Sequence, residues 1–163
     1  MITPRQALDV LNYLFAANAI TVTDHQDRVW ADYLNAPETG LAGLQAGELL
    51  PAARRAIKDW ADSGRAWRIS VEHYAHALRQ GRRDRLEHDR LENGALTPEG
   101  VYTGADHRKW MQAATHNIML GRSRAEAVQA AYEAVGITPP AALPTVNHTA
   151  SVTAAVQAIT KTI

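Results

Sequence analysis

Three times along the chain a Thr or Ser is followed, three positions later, by Gln or Glu, at the head of a segment with apolar residues spaced three and four apart. The segments are Thr3-Pro4-Arg5-Gln6, Thr23-Asp24-His25-Gln26 and Ser123-Arg124-Ala125-Glu126. This pattern lets the two side chains satisfy backbone N–H groups that a helix start leaves unpaired, so it commits the following residues to helix. In the first box Pro4 also suits the first helical position, where no N–H is needed. The spacing predicts a helix over about 4–18 with Ala7, Leu8, Leu11, Leu14 and Phe15 on the buried face. The second box opens a helix to about residue 36 carrying Val29, Trp30, Tyr33 and Leu34. The third opens one to about Val135, with Ala125, Val128, Ala131 and Tyr132 inward and Gly136 as its stop.

The segments between these boxes extend the helical pattern. Residues 37–47 hold three Gly and one Pro and read as a loop. A third helix is expected over about 49–62, with Leu50, Ala53, Ile57, Trp60 and Ala61 on one face and Ser63-Gly64 ending it. Ser70 is a cap for a fourth helix over about 71–92, whose apolar face is Val71, Tyr74, Ala75, Leu78 and Leu86. Beyond Gly81 this helix is almost wholly charged and is expected to project from the core. Asn93-Gly94 closes the first half and Thr97–Gly104 is turn-rich. Asp106–Leu120 follows as helix with Trp110, Met111, Ala114 and Ile118 aligned. Pro139, Pro140 and Pro144 make 138–150 a stiff linker. In 151–163, Val152, Ala155, Val156, Ile159 and Ile163 recur at helical spacing. So short a helix is marginal alone in water, so it is expected to dock on its own domain or in a partner's groove. The expected class is therefore all-α: a helical bundle over 1–92, a helical pair over 93–137, a linker over 138–150 and a C-terminal amphipathic helix over 151–163.

Composition narrows the function. The chain lacks Cys, which removes disulfide scaffolds, cysteine zinc sites and thiol nucleophiles. No apolar run approaches the ~18 residues of a spanning helix. No basic stretch and apolar core follow Met1 as in a secretory signal, so a cytoplasmic place in a host cell and no membrane partner are expected. Lys plus Arg and Asp plus Glu both number 17, but residues 1–49 hold two basic and six acidic groups and residues 50–91 hold ten basic and six acidic. That asymmetry points to a polyanion or an acidic protein surface facing the middle segment, or to a solvated helix with interleaved signs. No nucleophile elbow, Walker A loop or GxGxxG stretch occurs. His73 and His76 lack a third metal ligand at HExxH spacing and read as exposed or capping residues. His88 is expected to pair with Asp84 along its helix. No catalytic residue, metal or cofactor is assigned, and the chain reads as non-enzymatic.

Two groups of residues remain as binding candidates. Arg79, Arg82, Arg83, Arg85 and Arg90 crowd the fourth helix, with Arg79, Arg82, Arg83 and Arg90 read as one stripe. Guanidinium groups suit phosphate or carboxylate, so this helix could meet protein or DNA. Val152, Val156, Ile159 and Ile163 form the candidate partner-binding face of the last segment. Trp30, Trp60 and Trp110 fall on core faces, whereas Trp67 stands between Arg65 and Arg68 and reads as a cap on the core's end.

Residues 3–90 resemble the small helical loader-and-inhibitor proteins of phage replicative helicases, especially those of phages of high-GC Gram-positive hosts. The matching pieces, in order, are Thr3-Pro4-Arg5-Gln6-Ala7, Val29-Trp30-Ala31-Asp32-Tyr33-Leu34, Ala53-Arg54-Arg55-Ala56-Ile57-Lys58-Asp59-Trp60, and Ile69-Ser70-Val71 leading to Arg79-Gln80-Gly81-Arg82-Arg83-Asp84-Arg85-Leu86. The resemblance implies a non-enzymatic adaptor in DNA replication. It would hold a replicative helicase inactive and deliver it through an initiator protein, with residues 138–163 as the contact. The alternatives are a helix-turn-helix DNA binder contacting DNA through Arg54, Arg55, Arg79 and Arg83, and another phage or host protein-interaction module.

Overall fold

A computed structural model describes residues 1–101 and 103–140. Its described residues form six α-helices and no strand: α1 (Pro4–Ala16), α2 (Gln26–Asn35), α3 (Ala46–Asp62), α4 (Val71–Asn93), α5 (Gly104–Met119) and α6 (Arg124–Val135). One turn of 3-10 helix, Pro37–Thr39, interrupts the loop between α2 and α3. The fold is all-α. The face Val152, Val156, Ile159 and Ile163, and most of the linker, lie outside the described residues.

The local starts form as their chemistry dictates. Thr3 and Gln6 exchange bonds at the head of α1, and Ser123 and Glu126 do so at α6. At α2 the box is incomplete: Gln26 Oε1 accepts from Thr23 N–H at 2.9 Å, but the residue before the helix is His25, in a left-handed conformation with φ 61°. The start of α3 lies earlier than the Gly and Pro content predicts. Gln45 N–H donates to Glu48 Oε2 at 3.1 Å, which anchors the first turn ahead of Leu49. Pro51 then falls inside the helix, exposed, and does not break it.

The buried faces are rotated from those expected. On α1 the inward residues are Ala7, Val10, Leu11 and Leu14, while Leu8 and Phe15 are exposed. On α2 they are Trp30, Ala31 and Leu34, and Val29 is exposed. On α3 they are Leu49, Ala52, Ala53, Ala56 and Trp60, with Leu50 and Ala61 outside. Ala127 is inward on α6 in place of Ala125. Small residues carry much of the interior, so the helix axes approach closely and the large side chains beside them are left at the rim.

These four first helices share one apolar core, closed at the base by reciprocal bonds between Asn35 and the backbone of Ile2 (2.8 and 2.7 Å). Trp30 and Tyr74 stack in its middle with centroids 5.5 Å apart. Tyr74 O–H donates to Leu49 C=O at 2.8 Å, and burial, then the Glu48 charge, push its phenol above the ordinary value. The hairpin of α5 and α6 has a second, smaller core. Trp110 and Tyr132 meet edge to face at 5.6 Å, beside Ala114 and Ala131. Tyr132 Oη donates to Glu99 C=O and accepts from Glu99 N–H (2.9 and 3.0 Å), which folds the turn before α5 onto the pair.

Candidate functional site

The arginines of α4 do not form a stripe. Arg82 is buried, and its Nε and Nη2 donate to the two oxygens of Glu48 at 3.0 and 2.9 Å. Its Nη1 reaches Ala42 C=O at 3.1 Å. Arg85 also pairs with Glu48, and its Nε donates to Met119 C=O at 2.9 Å. Four donors therefore converge on one carboxylate: two from Arg82, one from Arg85 and the Gln45 N–H. Burial would raise the Glu48 carboxyl. The Arg82 hydrogen bonds and charge, the Gln45 N–H and the Arg85 hydrogen bond outweigh it and hold the group below the ordinary carboxylate value. Arg79 Nη1 donates to Thr39 C=O at 2.9 Å. Arg83 and Arg90 are exposed, and Arg90 lies 3.6 Å from Glu87.

The charged half of α4 is thus a seam and not a projection. Met119 C=O is one of the carbonyls that the end of α5 leaves without a helical partner, and Arg85 supplies the donor. Leu120 beyond it packs where a Cβ on Gly43 would stand 3.3 Å away, so a bare backbone is needed there. Arg124, the first residue of α6, bridges Asp89 Oδ2 (2.6 Å) and Ala95 C=O (2.9 Å). The first helices supply Glu48, α4 supplies the cations, and the hairpin supplies a carbonyl and Arg124.

The other predicted positions resolve individually. Asp84 pairs with Arg55 at 2.5 Å, across to α3, and His88 pairs with Glu92 at 3.2 Å. His73 caps α4, its Nδ1 taking the Ser70 N–H at 3.2 Å, and its ring stacks on Trp67 at 4.1 Å. Trp67 is half-buried against the core, and its carbonyl accepts from Trp60 Nε1, so it closes the end of the bundle. Of the residues weighed for DNA contact, Arg54 and Arg83 are exposed, whereas Arg55 and Arg79 are engaged within the fold. No cluster of three or more His, Asp or Glu capable of holding a metal occurs among the described residues. No helix there is long and apolar enough to cross a membrane.

What the sequence missed is a groove. Gln6, Asp9, Val10 and Tyr13 of α1 face Ala46, Leu49, Leu50 and Ala53 of α3 across a hollow of about 270 Å³. Its walls are mainly hydrocarbon, and Tyr13 and Leu50 stand 38% and 42% exposed at its edge. The groove exists because the large residues adjoining each buried stripe remain at the helix rims. Only the rotation of two faces relative to one another creates it, which periodicity within one helix does not reveal.

No protein family model matches the sequence, and comparisons with curated proteins and with solved structures give no match.

Proposed function

We propose that this protein is a non-enzymatic adaptor in phage DNA replication that binds a replicative helicase, taking an amphipathic helix of that partner into the groove between α1 and α3. The groove is the observation that carries the reading. It is apolar, walled by two rigid helices, and open along its length, which is what helix-in-groove recognition requires. The helicase, and the initiator protein as second partner, come from the resemblance of residues 3–90. The engagement of Arg82 and Arg85 within the fold favours this groove over the α4 arginines as the contact. The face Val152, Val156, Ile159 and Ile163 is proposed as a second contact with the same partner.

The test is affinity capture from host lysate with the full chain, Leu50→Glu, and a version ending at Gly136, each read for the replicative helicase by mass spectrometry. The expected result is helicase with the full chain, strong loss with Leu50→Glu and partial loss on truncation. No helicase with any version, together with duplex DNA retained in a salt-dependent way, would overturn the adaptor reading in favour of DNA binding.

A further inference from the structure

We infer that residues 151–163 of this same chain occupy the α1/α3 groove when no partner does, so that a partner must displace them. The inference rests on the groove just described but not on who the partner is. The groove asks for a short helix with aliphatic residues on one face and no charge to desolvate. Wound as a helix at about 100° per residue, Val152, Val156, Ile159 and Ile163 fall within an arc of about 60°. Lys161 is the only charged side chain after Glu133, and the same winding sets it on the opposite side, toward water. Thr, Ala, Ser and Gln fill the flanks, so nothing on the segment opposes burial of the aliphatic face.

The chain is long enough to reach. Leu120 packs against Gly43, three residues before α3 begins at Ala46 on the groove wall. From there α6 carries the chain back by 12 residues, or about 18 Å at 1.5 Å each. Residues 141–150, extended by their prolines, span about 31 Å at ~3.1 Å each. The linker therefore exceeds the return distance and still delivers Ser151 beside the groove. A tether of that length gives the segment a high effective concentration at the groove, well above that of a free competitor.

The absence of Cys allows a clean test on the full chain. A nitroxide on Ala154→Cys, on the water side of the segment, is read by amide signal loss in the isotope-labelled protein. The expected result is that loss is greatest at Tyr13, Leu49, Leu50 and Ala53, and that adding Val156→Asp and Ile159→Asp restores those signals. Unchanged groove signals with the nitroxide in place would overturn the inference, as would greatest loss elsewhere. A sample mixing nitroxide-bearing chains with separate isotope-labelled chains must show no loss. Loss in that mixture equal to that within one chain would assign the groove to a second copy instead. Because no partner is present, failure here leaves the helicase reading standing, and success does not depend on it.

Discussion

The bundle of α1–α4 and the hairpin of α5–α6 are held together by different means. The bundle closes around 22 buried apolar residues contributed by all four helices and their loops. The hairpin's own core has only four buried residues, and its main fastenings to α4 are polar: Arg85 on Met119 C=O, and Arg124 on Asp89 and Ala95 C=O. Burial of apolar area is non-directional and robust, whereas a seam of guanidinium bonds works only with every partner in place. The difference teaches that a dense run of arginines can be structural mortar. The charge density of α4 suggests a binding helix, yet its two central arginines serve the fold.

Substitutions should separate the two regions in a definite order of effect. The largest is Glu48→Ala, which leaves Arg82 buried without its counter-charge and should cost about 3–5 kcal/mol in urea unfolding. A change confined to the hairpin would break the comparison, because Glu48 belongs to both regions. Next, Trp110→Ala should cost a comparable ~3–5 kcal/mol but melt α5 and α6 while the bundle keeps its amide protection. Trp110→Phe sharpens the point. The Trp110 Nε1–H is buried and meets no acceptor among the described residues, so its removal should cost far less than removal of the ring.

Acid supplies a third, intermediate test. The Glu48 carboxyl is held below its ordinary value, so its stabilisation is complete above the unfolded value of about 4.3 and is lost as pH falls through the folded value. The stability gap between the native chain and Glu48→Gln should therefore narrow below about pH 4. A gap that is constant with pH would remove Glu48 as the acid-sensitive group. Tyr132→Phe, losing the bonds to Glu99, should cost about 1 kcal/mol and act on the hairpin alone. Arg83→Ala and Arg90→Ala should change the unfolding midpoint least, within about 0.5 kcal/mol of no effect.

Helix existence was legible because capping boxes are local chemistry: Thr3 with Gln6 and Ser123 with Glu126 act within one turn. The faces were not, because large apolar residues suggested the inside at Leu8, Phe15, Val29 and Leu50. The interior instead selects Val10, Ala31, Leu49 and Ala52, one or two positions away, where small side chains let helices close. Glu48 was hidden for a different reason. Gln45 is not among the usual caps, and Gly47 and Pro51 around it resemble loop, so the first turn of α3 looked absent. Its pairing with Arg82, 34 residues on, is a product of tertiary packing that no spacing rule reports. The groove between α1 and α3 was illegible on the same grounds, since it depends on how two rotated faces meet.

The most direct test of the seam is native-state hydrogen exchange on the full chain and on Arg85→Ala. Removing Arg85 takes two donors from Met119 C=O and one from Glu48, but leaves Arg82 on that carboxylate. Bonds to charged groups are each worth roughly 1.5–3 kcal/mol, so protection in α5 and α6 should fall at least about tenfold while α1–α3 keep theirs. Equal loss in both regions, or none in either, would contradict a bundle that stands alone with a hairpin pinned to it by arginine.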